Sequence, residues 1–68
     1  MADPFLTGRQ AGIEAAQRWL ASNKPIEDLL AAAVELSHTR GSGPKARERA
    51  GYGAGMRVVL EKAAERAA

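Results

Sequence analysis

Glu35 and His38 stand one helical turn apart, and Glu-x-x-His at that spacing is the pair with which helical bundles hold a metal or relay a proton. Such a centre needs further carboxylates and a second copy of the pair, whereas His38 is the sole histidine of the chain. The pair also falls on the polar side of an amphipathic stretch, near its C-terminal end, where the helix dipole by itself favours an imidazolium. Nucleophilic catalysis is no better served: there is no cysteine, and no Ser/His/Asp or Cys/His set. The residue types predict no catalytic residue, no metal site and no cofactor, so the chain reads as a non-enzyme.

Gly41-Ser42-Gly43-Pro44-Lys45 has the composition of a phosphate-cradling loop but not its grammar. Such loops follow a strand, close with Lys-Ser or Lys-Thr, and present consecutive backbone N–H groups. No strand is predicted here, the spacing is incomplete, and Pro44 removes a donor. The basic residues around the loop are more telling. Arg40, Lys45, Arg47 and Arg49 are opposed only by Glu48 and surround the start of a helix. Cations there work against the macrodipole, at about 0.3–1 kcal/mol each when exposed. A solvated face built from helix-favouring arginine would explain them; so would an acidic protein partner, or nucleic acid. Turn followed by basic helix is similar to helix-turn-helix geometry. Against it stand a turn loaded with Gly and Pro and the lack of Asn, Gln or Ser at base-reading positions. A net charge of +2 is also low for strong phosphate binding.

Trp19 and Tyr52 are the aromatics a binding surface would choose. Both lie at the edges of apolar stripes, where core packing competes with exposure to a partner. The surface expected to meet a partner is Arg47, Arg49 and Tyr52, with Trp19 as a further anchor.

The elements that must position these residues are helices. Thr7 and Gln10 fit a capping box, which predicts a first helix over about 8–21, with residues 1–6 as a loose arm from which Phe5 and Leu6 could fold back. Ser22-Asn23-Lys24-Pro25 breaks it. A second helix over about 25–39 starts with Pro25 in its first position and Glu27 and Asp28 at its positive end. Ile26, Leu29, Leu30, Ala33 and Leu36 share its apolar arc. The cluster 41–44 ends it, and a third helix over about 44–67 follows, with Tyr52, Met56, Val59, Leu60 and Ala63 as main stripe. The expected fold is all-α: three helices, the second and third antiparallel, in one small domain.

One pattern is written twice. Gly8-Arg9-Gln10-Ala11-Gly12-Ile13 and Gly51-Tyr52-Gly53-Ala54-Gly55-Met56 both read G-x-x-A-G-apolar within helical segments. Glycine disfavours a helix interior by roughly 0.5–1 kcal/mol relative to alanine, so its use is close approach of another backbone. The spacing can serve packing within the fold or between chains, or be chance in a Gly- and Ala-rich chain; beyond these six positions nothing aligns to mark a duplication. Gly51, Gly55 and Val58 also form a second non-polar side of the third helix. That side predicts a homodimer interface at Gly51, Gly55 and Val58.

Size supports assembly. Sixty-eight residues, of which 46% are apolar with alanine by far the commonest, make a thin core. Chains this short bury only about 60% of their unfolded surface and are commonly stapled by disulfides, metal or oligomerisation. The first two are missing from this composition, which leaves a partner. No run is long and apolar enough for a membrane span and no leader is recognisable, which together suggest the cytoplasm. In size, alanine content and lack of a catalytic set the chain is similar to small phage-encoded proteins that bind and disable a host factor. That likeness is one of style, with no motif behind it. The expected function is a protein-binding module, an inhibitor or adaptor; the alternative is a nucleic-acid-binding or transcriptional regulatory protein using the basic turn 40–49.

Overall fold

The computed structural model describes residues 3–67, without the side chain of residue 67, and the described residues form three helices: α1 (Pro4–Ala21), α2 (Ile26–Ser37) and α3 (Pro44–Ala67). The last matches its expected span. α1 starts a turn earlier than the Thr7 box implies, because Asp3-Pro4 supplies a better start. Asp3 is extended (φ −73°, ψ 124°), its carboxylate accepts from the Phe5 N–H at 2.9 Å, and Pro4 takes the first helical position. Positions 4–6 of the expected loose arm are therefore helical; its first two positions lie outside the described residues. Pro25 is likewise the extended cap of α2 rather than its first helical residue.

Between α1 and α2 the chain turns on Asn23 (φ 58°), a left-handed conformation that asparagine tolerates better than most residues. Trp19 closes this turn by donating its Nε1–H to the Pro25 carbonyl at 2.9 Å, with the Lys24 ammonium 4.9 Å from the ring centre. Between α2 and α3, Gly41 at φ 121° takes a backbone conformation that L side chains rarely adopt.

α3 is the central element: α1 and α2 each pack on it and hardly touch one another. Its glycines explain how one helix serves two neighbours. Gly51 and Gly55 face α1, against the main chain of Phe5 and Arg9. Gly53 lies two residues from either, about 200° round the helix. It faces α2, against the main chain of Ala33, Leu36 and Ser37. α1 answers with Gly8 against Glu48 and Gly12 against Tyr52. Residue numbers rise together across this crossing, so α1 and α3 are parallel, whereas α2 returns antiparallel.

The crossing is pseudo-symmetric. Each of its four glycines lies against the carbonyl of the residue three before its counterpart: Gly8 on Glu48 and Gly51 on Phe5, Gly12 on Tyr52 and Gly55 on Arg9. The repeated sequence pattern is thus one interface seen from both helices. Each glycine aims a Cα–H at a carbonyl oxygen, the weak hydrogen bond that recurs where helices cross closely. Beyond the glycines the facing residues grow larger. The core is formed by Ala16, Ala33, Met56 and Leu60, fully or almost fully buried, with Leu20, Ile26, Leu29, Leu30, Leu36, Tyr52 and Val59 packed around them.

Arg57 locks the hairpin. It donates from Nη1 to Ser37 Oγ at 3.2 Å and from Nε to Glu61 at 2.9 Å. This sets a cation beside the negative end of α2.

Candidate functional site

Lys45, Arg49 and Tyr52 are spaced i, i+4 and i+7 on α3, which sets them on one face. With Glu48 they line an open hollow of about 400 Å³ at the N-terminal end of the helix. Lys45, Glu48 and Arg49 are exposed, and Tyr52 is half-buried. The tyrosine is shared between two tasks. Its main chain receives Gly12 of α1 and its side chain packs against the core, which fixes the wall of the hollow on which the ring lies. Among the described residues, neither Lys45 nor Arg49 stands within ion-pair distance of a carboxylate. The hollow thus presents two cations and an aromatic ring around a single acid. It can hold a carboxylate while an apolar group lies on the ring; it holds no nucleophile with an orienting base.

Arg47, expected on this surface, is not part of it. It sits two residues from both Lys45 and Arg49, on the far side of the helix. There its Nη2 meets the Asp3 carboxylate at 3.4 Å, tying the start of α3 to the start of α1. Lys45 was legible as part of the basic stretch, and its spacing to Arg49 and Tyr52 is the signal that separates it from Arg47. Trp19 is also elsewhere. It lies sixteen residues along α1 from Asp3, roughly 24 Å by helical rise, half-buried and engaged in the α1–α2 turn.

The residues of the expected dimer surface divide between interior and exterior. Gly51 and Gly55 are buried under α1 of their own chain, because the close approach they permit is already used there. Of that trio only Val58 is open, 40% exposed, beside Ala54, Arg57 and Glu61. Leu6, at 60%, is the other exposed large apolar residue among those described.

Glu35 and His38 are both exposed, and no group of three potential metal ligands occurs among the described residues. No described helix is long and apolar enough to cross a membrane. Compared with family models, curated proteins and solved structures, the chain matches none.

Proposed function

We propose that this chain is a non-enzymatic protein-binding module, an inhibitor or adaptor, which docks an acidic surface of a larger protein onto Lys45, Arg49 and Tyr52. The observation that carries the reading is the gathering of these three side chains on one open hollow. Arginine and tyrosine are enriched in binding hot spots, and Lys45 in the first turn of α3 opposes the helix dipole, a placement that helix stability does not favour. Cytoplasmic residence and self-association belong to the same proposal. With Gly51 and Gly55 already covered, association needs another route than a face centred on them.

The test is retention of proteins from a cell lysate by the tagged wild type and by Lys45→Glu/Arg49→Glu, at low and physiological salt. The reading expects a protein held by the wild type and released by the double variant, with affinity that falls with salt mainly through slower association. Mobility of random duplex DNA is measured alongside. A salt-resistant, sequence-dependent shift would replace this reading with nucleic-acid binding by the turn 40–49. Retention untouched by the charge reversal would place the site elsewhere.

A further inference from the structure

We infer that α1 is exchangeable between copies: the α1 of one chain seats on the α3 of a second, so that the glycine crossing which closes the monomer also builds a dimer.

The chemistry of the crossing is the first support. Its close contacts join glycines to main-chain carbonyls of Phe5, Arg9, Glu48 and Tyr52. Main chain carries no identity, so at these points α3 recognises a parallel helix with two glycines four apart in this register. The structure displays that occupant already seated, and every second copy brings another. Connectivity is the second support. α1 packs on α3, hardly touches α2, and hangs on the short segment 22–25, so it can change partner without crossing the α2–α3 contacts. The hinge is the third. In the closed chain Asn23 is left-handed, and opening frees that residue at the loss of the Trp19–Pro25 hydrogen bond. Exchange of one element across a short hinge is a known low-cost route to a dimer.

Closed monomer and exchanged dimer share the same helix contacts, so concentration decides between them. A tether this short gives α1 an effective concentration in the millimolar range, which favours the closed chain at low micromolar. The inference is independent of the acidic-partner reading. An exchanged dimer carries two copies of the Arg49–Tyr52 hollow unchanged, and its assembly is measured without any partner.

The test is complementation with full-length chains. Gly8→Leu/Gly12→Leu spoils α1 and leaves α3 intact; Gly51→Leu/Gly55→Leu does the reverse. Alone, each is expected to be a monomer near 7.2 kDa with reduced helicity. Mixed at equal concentration and refolded together, they are expected to form a one-to-one dimer by native mass spectrometry. About half of the lost helical signal should return, because one of two crossings is restored. A mixture equal to the average of its parts overturns the inference. So does either variant pairing with itself, through α3 on α3 in the Gly8→Leu/Gly12→Leu chain or α1 on α1 in the other. So does either variant remaining a fully helical monomer. If the leucine variants do not stay in solution, deletion of Asn23 and Lys24 is decisive instead. With α1 unable to fold back, a dimer of wild-type helicity is expected, and a monomer overturns it.

Discussion

The carbonyl oxygen of Arg9 occupies the place where a side chain on Gly55 would begin: an added Cβ would lie closer than 3.0 Å to that carbonyl group. Real Cβ atoms do not tolerate such a distance to backbone, and neither helix can yield without the other, since Gly12 stands in the same relation to Tyr52. Close approach here is a property of both helices at once, and it is what allows a chain this small to bury two sides of α3.

Gly55→Ala is therefore predicted to destabilise the fold even though alanine is the better helix former by about 1 kcal/mol. Overpacking against backbone, at the upper end of about 1–3 kcal/mol, outweighs that gain, and a net loss of about 1–2 kcal/mol is expected. At roughly 4–8 °C per kcal/mol for a domain of this size, the thermal midpoint should fall visibly by circular dichroism. Gly43→Ala is the control. Nothing lies within 4 Å of its added Cβ, so the change should be neutral or stabilise by about 0.4–1 kcal/mol through the unfolded chain.

Gly53→Ala is predicted to injure the other side of α3. Its Cβ would come within 3.0 Å of the backbone of Ser37, Ala33 and Leu36 on α2. The expected signature is loss of amide-exchange protection concentrated in α2, whereas Gly55→Ala should lose it first in α1. Equal loss everywhere would mean the three helices open only together.

Leu60 is the largest fully buried side chain, at 0% exposure. Leu60→Ala should remove about 2–5 kcal/mol. A domain of this length has about 3–10 kcal/mol in total at typical values per residue. The variant should therefore be largely unfolded at 37 °C, as read by the helical signal at 222 nm.

Helix number, type and the span of α3 follow from apolar period and from the Gly/Pro breakers, and these were legible. So was the meaning of the doubled glycine pattern as close packing; whether the second helix came from the same chain was not, because glycine pairs specify a neighbour and not its origin. Gly53 held a clue that periodicity alone does not use: three glycines two apart cannot face one helix, so α3 had to have a neighbour on each side. The start of α1 was misread because two caps competed, and Asp3-Pro4 outweighs Thr7 by adding a proline already set for the first turn. Arg47 was grouped with Arg49 by proximity in sequence, where position around the helix separates them.

That separation supplies the last prediction. Arg47 is bonded to Asp3, and Asp3 also caps α1, so Arg47→Glu sets two carboxylates together at the start of both helices. Arg49→Glu does the opposite. It removes a like-charge i,i+4 neighbour of Lys45 and creates an attractive pair with it, while the dipole term, which falls off within the first turn, is no larger here than at Arg47. Each term is worth a few tenths of a kcal/mol at an exposed site, so Arg49→Glu should hold or raise the thermal midpoint while Arg47→Glu lowers it. The Asp3–Arg47 pair is itself half-exposed, and a double-mutant cycle through Asp3→Ala and Arg47→Ala should give a coupling below about 1 kcal/mol. Asp3→Ala alone should cost about 0.5–2 kcal/mol, because it also removes the cap. Thermal melts of the two charge reversals at low and high salt decide the matter. The difference between them should shrink as salt screens it, and a midpoint that falls equally for both would mean that Arg49, too, is held by the fold rather than offered to a partner.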